Sequence, residues 1–120
     1  MADADAPVPV LAVVRDLFFV ARIRETARLC GTPLSFTRSP EELSAALPAR
    51  WILVDLTGGF DYARIFDTID AAVPRPPVLG FTTHVLARQT QPWHVRCDRV
   101  VTKETLTQEL PALMREGVAA

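Results

Sequence analysis

The chain has 120 residues, of which 49% are hydrophobic and 22% charged, and it carries a formal net charge of −1 at pH 7. That length supports one buried core, and 13 basic residues against 14 acidic ones exclude an electrostatic footprint for nucleic acid. No segment reaches the roughly 18 consecutive apolar residues of a membrane span. Residues 1–7 read as a flexible polar lead without the basic and apolar regions of a secretory signal, and residues 8–117 read as a single domain. Cys30 and Cys97 lie far apart in the chain and are expected to be free buried thiols of a cytoplasmic protein.

In chain order, short apolar runs alternate with amphipathic stretches. Val8–Val14 is the first strand, ending in Arg15-Asp16. A helix over Leu17–Cys30 follows, with Phe19, Ile23, Ala27 and Cys30 on one face and Gly31 as its stop. Leu34–Thr37 is a short, half-buried strand. Ser39-Pro40-Glu41-Glu42 opens a helix by a capping box with proline at the first helical position, and Pro48 ends it after Leu47. Trp51–Asp55 is a strand buried on both faces that delivers a carboxylate to the sheet edge. Beyond the Thr57-Gly58-Gly59 loop, a helix over Asp61–Ala72 buries Ile65, Phe66 and Ile69.

Pro74, Pro76 and Pro77 enforce an extended entry into a strand over Val78–Thr82. His84–Arg96 is helical in its first half, with Pro92 as an interruption. Arg99–Thr102 is the fifth strand. The last helix, Glu104–Glu116, turns Leu106, Leu110, Leu113 and Met114 inward, with Pro111 expected to bend it or confine regular structure to its second half. Five strand–helix units with right-handed crossovers define an α/β, flavodoxin-like, doubly wound parallel sheet of order 2-1-3-4-5, a (βα)5 fold. Ligands of such folds sit outside the carboxyl ends of the strands, where Arg15, Asp16, Asp55 and Thr82 converge. No nucleophile elbow, Walker loop, CxxC or dinucleotide fingerprint is present, so an enzyme is not expected.

These strand ends, Val13-Val14-Arg15-Asp16, Leu53-Val54-Asp55-Leu56, Leu79-Gly80-Phe81-Thr82 and Val100-Val101-Thr102-Lys103, resemble those of the receiver domain of two-component response regulators, the CheY-like family. In that family two acids after strand one bind Mg²⁺ and an Asp ending strand three accepts a phosphoryl group. A Thr or Ser ending strand four bonds the phosphate, and a Lys ending strand five, followed by a cis-proline, pairs with it. The resemblance places Asp55 at the phosphoacceptor position, Arg15 and Asp16 at the acid pair, Thr82 at the switch hydroxyl and Thr102, with Lys103 behind it, at the lysine position.

Two of the five positions are changed. Any Mg²⁺ would rest on Asp16 and Asp55 alone, against the positive charge of Arg15. At an effective dielectric of 20, a unit charge about 4 Å away is worth roughly 4 kcal/mol, and a divalent ion doubles that. Arg15 is therefore expected to disfavour the metal and to pair with Asp55 or Asp16 as a fork, so that no cofactor is needed. The reading is a stand-alone pseudo-receiver in signal transduction that acts on a protein partner, a histidine kinase or a downstream effector. It would have neither nucleic acid nor membrane as a partner, and a homodimer through the fourth and fifth helical faces is a further expectation. Phe18 and Trp93 are candidate surface aromatics for such contacts, with packing against the core as the alternative for each and the first choice for Trp93. Two alternatives stand beside it: a working phospho-accepting receiver of a phosphorelay, with Asp55 as acceptor, and a flavodoxin-like module that binds a small anion through Arg15.

Overall fold

A computed structural model describes residues 7–118. Five parallel strands stand in the order β2-β1-β3-β4-β5: β1 (Val10–Val13), β2 (Leu34–Phe36), β3 (Ile52–Asp55), β4 (Val78–Thr82) and β5 (Arg99–Thr102). Between and after them run α1 (Leu17–Cys30), α2 (Pro40–Ala46), α3 (Tyr62–Ala71), α4 (Ala87–His94) and α5 (Lys103–Glu116). This is the doubly wound flavodoxin-like architecture expected from the sequence. No described helix is long and apolar enough to cross a membrane.

The central strands β1, β3 and β4 are buried along their whole length, because helices cover both faces of the sheet. One core layer joins Val10, Ala12, Leu53, Leu79 and Phe81 to the inner faces of α1 and α5. The other joins Leu11, Val13, Ile52, Val54 and Val78 to α2 and α3 through Leu43, Ile65, Phe66 and Ile69. Alternation along each strand sends successive side chains to opposite layers. At the amino-terminal edge of the sheet, Arg75 bonds Asp70 at 2.8 Å and Asp98 at 3.0 Å, while Arg96 holds Asp67 and Asp70. Asp98 also accepts the Val78 amide at 2.7 Å, tying the entries of β4 and β5 together.

Three local expectations are corrected. β1 begins at Val10 rather than Val8, since Pro9 has no amide to donate to the ladder, and it ends at Val13, with Val14 buried but outside the strand. In His84–Arg96 the helix is short and shifted, as the interruption suggested, but it runs over Ala87–His94 and passes through Pro92 instead of stopping before it. Likewise α5 is one helix from Lys103 to Glu116 across Pro111. Both prolines face solvent, where a carbonyl left without its helical partner can be met by water. The cysteines are free, as expected, but half-buried.

Candidate functional site

The carboxyl ends of β1, β3, β4 and β5 gather the residues singled out by the sequence. Asp55 ends β3 and is 2% exposed. Its Oδ1 accepts the Thr57 amide at 2.9 Å and the Thr57 hydroxyl at 2.8 Å, an Asx turn that starts the β3–α3 loop. No described side chain donates to Oδ2. Tyr62, in the first turn of α3, braces the same loop: its hydroxyl donates to the Asp55 carbonyl at 2.6 Å and accepts the Gly58 amide at 2.8 Å. Burial raises the Tyr62 phenol above its ordinary pKa, which keeps the proton that this bond requires. Gly58 is needed here, since a Cβ would lie 2.5 Å from Cε2 of Phe60 and 3.4 Å from Oδ2 of Asp55.

Arg15 does not pair with Asp55 or Asp16, contrary to the expected fork. It is exposed, and its guanidinium lies 4.3 Å from the centroid of the Phe60 ring. The ring face offers an interaction without confining the carboxylates, and Asp16 is already occupied. As N-cap of α1, Asp16 accepts the Phe18 amide at 2.9 Å and the Phe19 amide at 3.2 Å through Oδ1. Asp16 and Asp55 thus hold separate turns, and no described group of three His, Cys, Asp or Glu gathers into a possible metal site. Each carboxylate spends its Oδ1 on backbone or hydroxyl donors of its own turn, and Arg15 stands at the same edge.

Thr82 ends β4 and is 3% exposed. Its hydroxyl meets the Thr90 hydroxyl at 3.1 Å, and Thr90 in turn contacts the Ala87 carbonyl at 3.2 Å and Nε2 of His94 at 2.8 Å. Thr90 donates, its single proton serving either the Thr82 hydroxyl or the Ala87 carbonyl. The Thr82 hydroxyl is therefore tied to α4, with no described hydrogen bond to Asp55. This Thr90–His94 continuation was missed in the sequence, although their i, i+4 spacing puts them on one helix face.

Thr102 and Lys103 form the junction of β5 and α5. The Thr102 hydroxyl caps α5, accepting the Thr105 amide at 3.2 Å, and Lys103 is the first helical residue. The Lys103 ammonium lies 5.3 Å from the Phe19 ring centroid. Of the two expectations for Trp93, a surface anchor or a ring tucked back on the core, it takes the second: it is half-buried and stacks on Phe66 at 5.9 Å and an interplanar angle of 13°. Phe18 is 65% exposed at the start of α1, against the edge of Phe19. The Cys97 thiol is pushed up to about 12, chiefly by burial, and is unreactive at neutral pH.

The structural role of Asp55 has a measurable consequence. Asp55→Ala, which removes the one oxygen that accepts from both Thr57 donors, is expected to cost about 1–2 kcal/mol of stability by urea unfolding, whereas Asp55→Asn keeps the turn and costs less than half of that. Equal losses in the two variants would show that the Asx turn does not hold the loop.

The fold is the one found in response regulator receiver domains. No family model and no curated protein sequence matches the chain. Solved structures do. The chemotaxis response regulator CheY4 of Vibrio cholerae superposes with a TM-score of 0.70 at 16% identity, over 94% of this chain and 100% of that one. The receiver domain of a sensor histidine kinase from Pseudomonas aeruginosa, solved with a magnesium ion in its active site cleft, gives 0.71 at 17% identity over 92% and 96%. A protein described as one of a family of redox sensors in the streptococci that evolved from two-component response regulators gives 0.68 at 12%, over 90% of this chain and 51% of that one.

Proposed function

We propose that the protein is a receiver-like signalling domain that works through protein–protein contacts and not through magnesium-dependent phosphorylation of Asp55. The placement of the cations supports this above all. Arg15 rests on Phe60 and Lys103 on Phe19, so neither of the basic groups at this edge pairs with Asp55. A phosphoryl group arriving there would bring charge that positioned cations must neutralise. The redox-sensor neighbour is in keeping with a receiver fold put to another use. The partner would be a signalling protein, a histidine kinase or an effector, and exposed Phe18 is an anchor available to it.

A second reading, a working phospho-receiver, draws on one observation: Arg15 is turned aside and Oδ2 of Asp55 has no described donor. The test incubates the protein with a small phosphodonor, with and without Mg²⁺, and follows intact mass. The expected result is no adduct in either case. A phosphoryl adduct that Asp55→Asn abolishes would establish the second reading instead.

A further inference from the structure

Strand β2 is one edge of the sheet, and no described strand pairs with its outer side. Val10 donates to the Pro33 carbonyl at 2.9 Å and Thr37 to the Ala12 carbonyl at 3.0 Å. With Val10 opposite Leu34 and Ala12 opposite Phe36, Ser35 spends both its backbone groups on β1. Leu34 and Phe36 therefore turn their N–H and C=O groups outward, where another strand would sit. Beside them a groove of about 530 Å³ runs along α1, lined by Arg24, Ala27, Arg28, Thr32 and Ser35 among others.

The charge there is one-sided. Arg24 meets no described carboxylate and lies 5.2 Å from the Phe36 ring centroid. Arg28 holds only Glu25, at 2.7 Å, in a pair whose side chains are 67% and 56% exposed and so easily exchanged. Arg24 and Arg28 are four residues apart on one helix, about 6 Å along its axis. Alternate residues of a strand are about 6.5 Å apart and point to the same face. The two spacings match.

We infer that this groove docks an extended acidic segment of a partner protein, which adds as a strand to the β2 edge and sets carboxylates two residues apart on Arg24 and Arg28. Backbone pairing supplies the attachment and the arginines supply the selection. The short edge limits the pairing to a few residues, which suits a reversible contact.

The probe is the peptide Val-Asp-Val-Asp-Val-Thr, titrated into the full ¹⁵N-labelled chain, with its Asp-to-Lys counterpart as control. The acidic peptide is expected to bind at least about tenfold tighter than the lysine one and to slow amide exchange at Leu34 and Phe36. Arg24→Gln and Arg28→Gln should each weaken it about tenfold, and Glu25→Gln, which frees Arg28, should tighten it. All three residues are exposed, and unchanged melting would show that the variants remain folded. No saturable shift would overturn the proposal, as would binding indifferent to the arginines or without protection at Leu34 and Phe36. Binding seen only after removal of residues 1–6 would overturn the partner assignment in favour of the chain's own acidic lead.

Discussion

Phe66→Ala is expected to lower the unfolding free energy by about 3–5 kcal/mol and the melting temperature by roughly 10 °C or more. Phe66 has no exposed surface and faces the core layer beneath α3. Its ring also stacks on Trp93 and carries the Arg96 guanidinium at 5.5 Å. Helix α4 buries little else, since Thr90 is its one other buried contact point, so Trp93, held between Phe66 and the Tyr62 ring at 5.7 Å, is its main apolar attachment. The loss should thus have a second signature: Trp93 emission shifts to the red as the helix loosens. The other tryptophan, Trp51, is 1% exposed, and a Trp51→Phe background isolates the signal. Phe66→Leu, which refills part of the volume, should cost about half as much. A loss below about 1 kcal/mol with unchanged Trp93 emission would mean that α4 is held elsewhere.

The second large effect is expected from the smallest side chain in the sheet. Gly80 sits in the middle of β4, and a Cβ there would lie 2.8 Å from the Cys97 sulfur and 3.0 Å from Cδ1 of Leu56. Replacing a strand glycine normally gains about 0.5–1 kcal/mol in backbone entropy. Overpacking a filled core costs about 1–3 kcal/mol, and here the clash involves two neighbours at once, so the cost wins. Gly80→Ala should destabilise by about 1–2 kcal/mol. The double variant with Cys97→Ala should recover at least half of this, a coupling that a thermodynamic cycle measures directly. Additive losses would show that the sulfur is not the obstacle.

The fold could be read from residue pattern because its signals are local and redundant. Apolar runs such as Ile52-Leu53-Val54 end in polar residues, Ser39-Pro40 starts a helix and Gly31 stops one, and each was read directly. Proline was the misleading residue. Pro92 and Pro111 sit inside helices because they face water, and exposure depends on the packing of the whole chain. The site was legible in position and not in partnership. That Asp55, Asp16, Arg15 and Thr82 share one edge follows from the strand ends alone. That Arg15 chooses Phe60 over a carboxylate, or Thr82 chooses Thr90, follows from rings and hydroxyls brought in by α3 and α4. Five of the six phenylalanines carry a cation over the ring, where about one or two such contacts would be usual for this length, so acid–base pairing was the wrong first guess for these cations.

The passage from β5 to α5 carries a mechanical consequence. Thr102 is at once the last strand residue and the helix cap, and Lys103 is already in the first turn, so there is no connecting loop to take up slack. A linker of even a few residues would let a helix tilt while the strand stayed still. Here a push on the start of α5 is a push on the edge of the sheet, and the two elements must open and close as a single lever. Amide exchange in β5 and in the first turns of α5 should accordingly proceed in step, with one opening free energy for both.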